Sequence, residues 1–123
     1  MSTSFSVTSP IQNKVVYSKD YTTKDQIEKT LHSAKNAQSS WQSMALSERK
    51  AKVGAAIDYL VVQKDAIATM ITETMGRPIS QSGGEVAGLE ERARYMIDIS
   101  NEALADTIPE EKMGFKRFIR KEA

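Results

Sequence analysis

The sequence predicts an α/β fold that is mostly helical, with short β-strands near both ends, and three observations carry that expectation. The runs FSVTSP and KVVYSKD near the start, and FKRFIRKEA at the other end, have the β-branched and aromatic character of strands. Between them, four stretches repeat apolar residues at steps of three and four, the period of one helical face. Each stretch is set off by residues that end or start helices for a stated physical reason, so the pattern reads as separate helices rather than one.

In chain order, a strand pair is expected over about residues 5–19, with Ser9-Pro10 through Asn13 supplying the turn. The first helix, about 23–42, carries Ile27, Leu31, Ala34, Ala37 and Trp41 on one face, and Thr23 with Gln26 forms a capping-box start. SMALSERK interrupts it. Ser47 is the expected cap of a second helix, about 47–62, whose stripe is Val53, Ile57, Leu60 and Val61. A bend near Gln63-Lys64-Asp65 leads to a third, about 64–75, carrying Ile67, Met70, Ile71 and Met75, and these two are expected to be antiparallel neighbours.

ETMGRPISQSGGEV ends that helix and starts the next. Gly76 can take the left-handed conformation just past a helix, and Pro78 cannot continue the old helix but suits a first turn. The fourth helix, about 79–105, carries Ile79, Val86, Leu89, Ala93, Met96, Ile97 and Leu104. Gly83, Gly84 and Gly88 lie on it, each costing about 1 kcal/mol relative to Ala; close packing against another element is the expected reason for them. EEKMG is a turn, and residues 113–123 read as the start of a strand with no partner after it in these residues.

Composition narrows the function classes. The 123 residues match one ordinary domain, 40% apolar and 27% charged. Seventeen basic against sixteen acidic residues leave a charge of +1, with no electrostatic footprint for nucleic acid or an acidic membrane. Cysteine is absent, which excludes disulfides, thiolate metal sites and a Cys nucleophile within these residues. MSTSFSVTSP lacks a basic n-region and an apolar h-region, and no stretch approaches the ~18 apolar residues of a membrane span, so a cytoplasmic protein is expected.

The order SPIxxKVVY, a helix with AxxAQxxW, LSERKAxV, TxxxGRPIxQxxGEV and a helix ending before IPEEKMGFKRFIRKEA resembles the N-terminal portion of the NAD(P)-dependent aldehyde dehydrogenases over about residues 7–123. Pro10, Ala37-Gln38 with Trp41, Ser47-Glu48-Arg49, Gly76-Arg77-Pro78 and Glu85-Val86 carry it. The resemblance implies that the helices pack on a dinucleotide-binding domain, that FKRFIRKEA begins an oligomerisation arm, and that Gly76-Arg77-Pro78 is a packing corner. It also implies, for the family, a Cys thiolate that attacks the aldehyde, an amide oxyanion site, a Glu that activates the deacylating water, and hydride transfer to NAD or NADP. No position here matches the catalytic Cys, the oxyanion Asn, the general-base Glu, or the Lys and Glu that hold the cofactor ribose. Residues 1–123 are therefore expected to be an N-terminal segment lacking the catalytic domain and inactive alone, with no catalytic, cofactor-binding or metal residue of its own. No cofactor is expected to bind it by itself.

Other features have plain competitors. His32 has no second His, no Cys and no HExxH spacing, and is read as structural. Ser82-Gly83-Gly84 resembles part of a phosphate loop, but no strand precedes it and no GxGxxG or GxxxxGK[ST] pattern is completed. KRFIRK interleaves basic and aromatic residues as nucleic-acid binders do, and also as an alternating strand with one wet face does. By the resemblance, Glu85 stands where some members place a carboxylate near a monovalent cation; a plain helix carboxylate is the competing reading. The six methionines fall mainly at helical spacing, as core or contact residues. Two function classes stay open: the N-terminal part of an aldehyde dehydrogenase, partnered by the remainder of the enzyme or a homologous subunit, or a non-catalytic helical interaction module that self-associates or pairs with a full-length relative. Neither involves nucleic acid or membrane.

Overall fold

A computed structural model describes residues 3–121. Its elements run β1 (Ser4–Thr8), β2 (Val15–Asp20), α1 (Lys24–Ser43), α2 (Leu46–Val62), α3 (Lys64–Met75) and α4 (Ile79–Ala103).

The two strands pair antiparallel, Ser4 opposite Asp20 through Val7 opposite Tyr17, with an irregularity between Val7 and Thr8. On this ribbon the ring of Phe5 lies 5.9 Å from Tyr17 and 5.8 Å from Tyr21, centroid to centroid. The turn is organised by Ser9, which is fully buried. Its hydroxyl accepts the N–H groups of Ile11 and Gln12, its N–H donates to the Lys14 carbonyl at 2.8 Å, and its carbonyl accepts from Asn13 at 2.9 Å. Asn13 takes the left-handed conformation (φ 52°), which Asn tolerates better than most residues.

α1 starts as the sequence predicts: Thr23 accepts from the Gln26 N–H at 3.3 Å, and Gln26 Oε1 accepts from the Thr23 N–H at 2.9 Å. Its face is uncovered, since no α1 residue is buried and Leu31 is 60% exposed. Ser47 is not the cap of α2. That helix begins one residue earlier, at Leu46, with Ala45 in the cap position and no side-chain hydrogen bond there. Gln63 is both the last cap of α2 and the first of α3, so the bend is a single residue.

Gly76 ends α3 in the left-handed conformation (φ 78°), its N–H donating to the Thr72 carbonyl at 2.9 Å. α4 is the hub of the helical layer. α3 and α2 both pack on it and touch each other little, which corrects the expectation that α2 and α3 are mutual neighbours. α2 and α4 run antiparallel: Arg94 donates to Asp58 at 2.7 Å and Lys50 reaches Asn101 at 3.5 Å, so the pairs ascend one helix as they descend the other.

The core at this hub is small. Among the described residues, the buried apolar side chains are Ile57 of α2, Ala68 of α3 and Val86 of α4. Beside them Ser82 is fully buried, its hydroxyl 2.8 Å from that of Thr72 and within reach of the Arg77 and Pro78 carbonyls, so a polar group on the inner face is satisfied rather than orphaned.

No regular strand forms over residues 113–121. Two isolated antiparallel bridges, Thr107 with Ile119 and Lys112 with Phe115, replace it, and residues 122 and 123 lie outside the described residues. The bridges do not belong to one ladder. Continuing the Lys112–Phe115 pairing would set Ile119 opposite Ile108, not Thr107, and Pro109, which has no N–H, lies in the gap.

Candidate functional site

The chemistry-bearing residues do not converge. Among the described residues there is no group of three or more His, Cys, Asp or Glu side chains placed to hold a metal ion, and His32 sits on exposed α1. Ser82-Gly83-Gly84 does not form a loop. All three are inside α4, Ser82 is bonded to Thr72, and a Cβ on Gly84 would meet open space. A dinucleotide phosphate has no cradle of N–H groups there, because those of a helix interior are spent on the helix.

Glu85 forms an ion pair with Arg77 across the α3–α4 corner. Its carboxylate is thereby engaged by a guanidinium. Three basic residues of KRFIRK, Arg117, Arg120 and Lys121, are similarly engaged within the chain. Arg120 binds Asp106 through two nitrogens and lies 4.9 Å from the Phe118 ring, and Arg117 donates to the Glu110 carbonyl.

What the fold does build is an uncovered apolar face on both sides of α4. One groove, of about 370 Å³, is floored by Leu60, Ile67, Ile71, Val86 and Leu89, with Glu85 and Arg92 at its rim. A second, of about 390 Å³, runs from Trp41 past Leu46 and Val53 to Ala93, Met96 and Ile97. Met70, Met75 and Met96 are 61%, 74% and 61% exposed, although each falls on a helical stripe.

The accessible surface of the whole chain is large for its mass. It is 10098 Å². A compact monomer of 13.7 kDa has about 6,600 Å², so roughly 3,500 Å² remains that a closed fold of this size covers. An ordinary interface takes about 800 Å² from each partner. The excess, spread over the whole chain including α1 and the β1–β2 ribbon, is several times what one partner gives up in such an interface.

The sequence profile described as "Aldehyde dehydrogenase family" matches residues 1–123. This chain belongs to the aldehyde dehydrogenase family. Glutarate-semialdehyde dehydrogenase of Pseudomonas putida is 22% identical to it over 103 residues, 84% of this chain and 22% of that enzyme. N-succinylglutamate 5-semialdehyde dehydrogenase of Burkholderia mallei is 33% identical over 76 residues, 62% of this chain and 15% of that enzyme. The solved succinic semialdehyde dehydrogenase of Streptococcus pyogenes, in complex with NADP+, superposes with a TM-score of 0.81 at 27% identity, over 89% of this chain and 24% of that one. The chain thus spans less than a quarter of the length of these relatives. None of its 123 residues is a cysteine, and Ser82-Gly83-Gly84, inside α4, offers no free N–H cradle for a dinucleotide phosphate.

Two structural residues escaped the sequence reading. Ser9 was placed only as a turn residue, whereas it closes the whole turn from a buried position. Ser82 carried a usable signal: Ser82, Val86, Leu89 and Ala93 step by four, three and four, so it lies on the inward stripe despite its polarity.

Proposed function

We propose that residues 1–123 are the N-terminal helical layer of an NAD(P)-dependent aldehyde dehydrogenase, an enzyme of the cytoplasm that oxidises an aldehyde to a carboxylic acid. In this reading the chain contributes packing surface and carries no catalytic group. The remainder of the enzyme, or a homologous subunit, covers the α4 grooves. The excess surface of the chain, with the two open apolar grooves beside α4, carries the proposal, because roughly 3,500 Å² exceeds by far what one partner gives up in an ordinary interface. A free-standing interaction module needs no such area, and no observation favours that module over the enzyme layer.

Covalent aldehyde oxidation in this family's manner requires a thiol, and none of the 123 residues supplies one. The purified chain is therefore expected to show no aldehyde-dependent reduction of NAD or NADP. Grafted in place of the matching N-terminal segment of the Streptococcus pyogenes enzyme, it is expected to support such reduction. Turnover by the chain alone, surviving repeated purification, overturns the proposal, as does a soluble graft of native helicity that binds NADP and does not turn over.

A further inference from the structure

The groove that runs from Trp41 to Ile97 differs in charge from its neighbour across α4, whose rim carries both Glu85 and Arg92. Its floor is apolar, formed by Val53 of α2 with Ala93 and Met96 of α4, and its two ionisable residues, Arg49 and Lys50, are both cations. Among the described residues that line it there is no Asp or Glu. Arg49 and Lys50 stand four and three residues before Val53 on α2, so cations and apolar floor share one helical face.

Arg49 is the anomaly here. Three other arginines each hold a carboxylate: Arg77 that of Glu85, Arg94 those of Asp58 and Glu90, and Arg120 that of Asp106. Arg49 holds none, and its Nε–H is buried with no acceptor among the described residues. The Arg77 Nε–H is buried in the same way, but that guanidinium already binds Glu85. Buried charges in folded proteins are paired, because an orphaned donor keeps its full desolvation cost. The groups beside Arg49 supply no pairing: Ser100 donates its hydroxyl to the Ile97 carbonyl at 2.6 Å, and Lys50 reaches Asn101 at 3.5 Å.

We propose that this groove seats an acidic segment of the layer that covers α4: apolar side chains of that segment lie on the floor between Trp41 and Ile97, and an Asp or Glu carboxylate takes the Arg49 guanidinium. On the enzyme reading, on which this rests, further residues of the same enzyme cover α4. Charge complementarity selects which of them lie here. A purely apolar cover would close over two cations and leave the Arg49 Nε–H orphaned, whereas a carboxylate can accept from Nε and a terminal nitrogen together, the forked pairing that sets Arg apart from Lys. A second copy laid on the same groove by two-fold symmetry would set these cations against their own counterparts. Trp41 and Arg49 are also of the residue types on which binding energy concentrates in a desolvated pocket.

Trp41 is the single tryptophan of the chain, so its emission reports this groove. The probe is decanoate, an apolar chain ending in a carboxylate, titrated at neutral pH below its micelle concentration, with decanol as the same chain without the charge. Helical circular dichroism establishes that α1–α4 persist throughout. Decanoate is expected to shift the Trp41 emission to the blue and to bind the parent about tenfold more tightly than decanol does. Arg49→Met and Arg49→Gln are expected to bind decanoate about tenfold more weakly than the parent, and decanol equally well. Equal affinity of the parent for the two probes, a comparison that needs no variant, overturns the proposal, as do variants that keep the preference for decanoate. Trp41 emission that responds to protein concentration and not to decanoate would put a second copy in the groove and overturns it too. Turnover and the graft test the enzyme reading without touching Arg49, so the two fail separately.

Discussion

Pro10 stands directly over Gly76: its Cγ lies 2.9 Å from the position that a Cβ on that glycine would occupy. The turn between β1 and β2 is thus seated on the corner between α3 and α4. Ser9, fully buried one residue earlier, fixes the turn that carries the proline.

Gly76→Ala is expected to destabilise the chain, because it combines a left-handed backbone, about 1–2 kcal/mol for a residue with a Cβ, with displacement of the Pro10 ring. Gly84→Ala is expected to do the reverse, by about 1 kcal/mol, since a Cβ there meets nothing within 4 Å and the helix gains propensity. Urea unfolding followed by circular dichroism checks both. Equal effects of the two substitutions would show that position within the corner is irrelevant.

That contrast also shows what was legible in the sequence. Gly76 was readable because chemistry local to Gly-Arg-Pro decides it. Gly83, Gly84 and Gly88 were expected to admit a neighbouring backbone, yet within this chain Gly83 meets only the Lys64 side chain, Gly88 only that of Arg92, and Gly84 nothing. Helix periodicity found all four helices, but it could not say which pack together, because that depends on surfaces far apart in sequence. It missed the start of α2, where Ala45 caps by backbone alone. It also read FKRFIRKEA as a strand, since alternation reports a preference and not the partner that a strand needs.

α1 should be the least protected helix. It is 20 residues long with nothing buried, so its order rests on propensity and on the Thr23–Gln26 capping box rather than on packing. Thr23→Ala is expected to cost about 1 kcal/mol, expressed as fraying of α1 alone. Amide exchange read by NMR should show α1 exchanging faster than the residues around Ile57, Ala68 and Val86, and faster still in the variant. Protection of α1 equal to that of α4 would mean that its apolar stripe is covered after all.

The ion pair of Asp106 and Arg120 carries a pH signature. Hydrogen bonds from Arg120 hold the Asp106 carboxyl below its ordinary value, against a smaller opposing effect of desolvation, while Lys121 donates to the Ala103 carbonyl at the end of α4. A depressed folded value means that the stabilisation is present above the unfolded value, about 3.9, and is lost as pH falls through the lower folded one. The pair is therefore expected to hold at neutral pH and to loosen only below about pH 4. The carboxyl carbon shift of Asp106 should titrate below the ordinary range and return to it in Arg120→Gln; an ordinary midpoint in the parent chain would remove the ion pair from the account.

Scanning calorimetry at several protein concentrations tests the central claim most directly, that these residues form one layer of a larger fold and leave its apolar face uncovered. A closed domain of this length unfolds in a single sharp transition with a heat-capacity increase of about 1.5–1.8 kcal/mol/K, independent of concentration. The account predicts a broad transition with a distinctly smaller increase, or one that moves with concentration because copies cover one another's grooves. One sharp, concentration-independent, two-state transition with the full heat-capacity increase would contradict it.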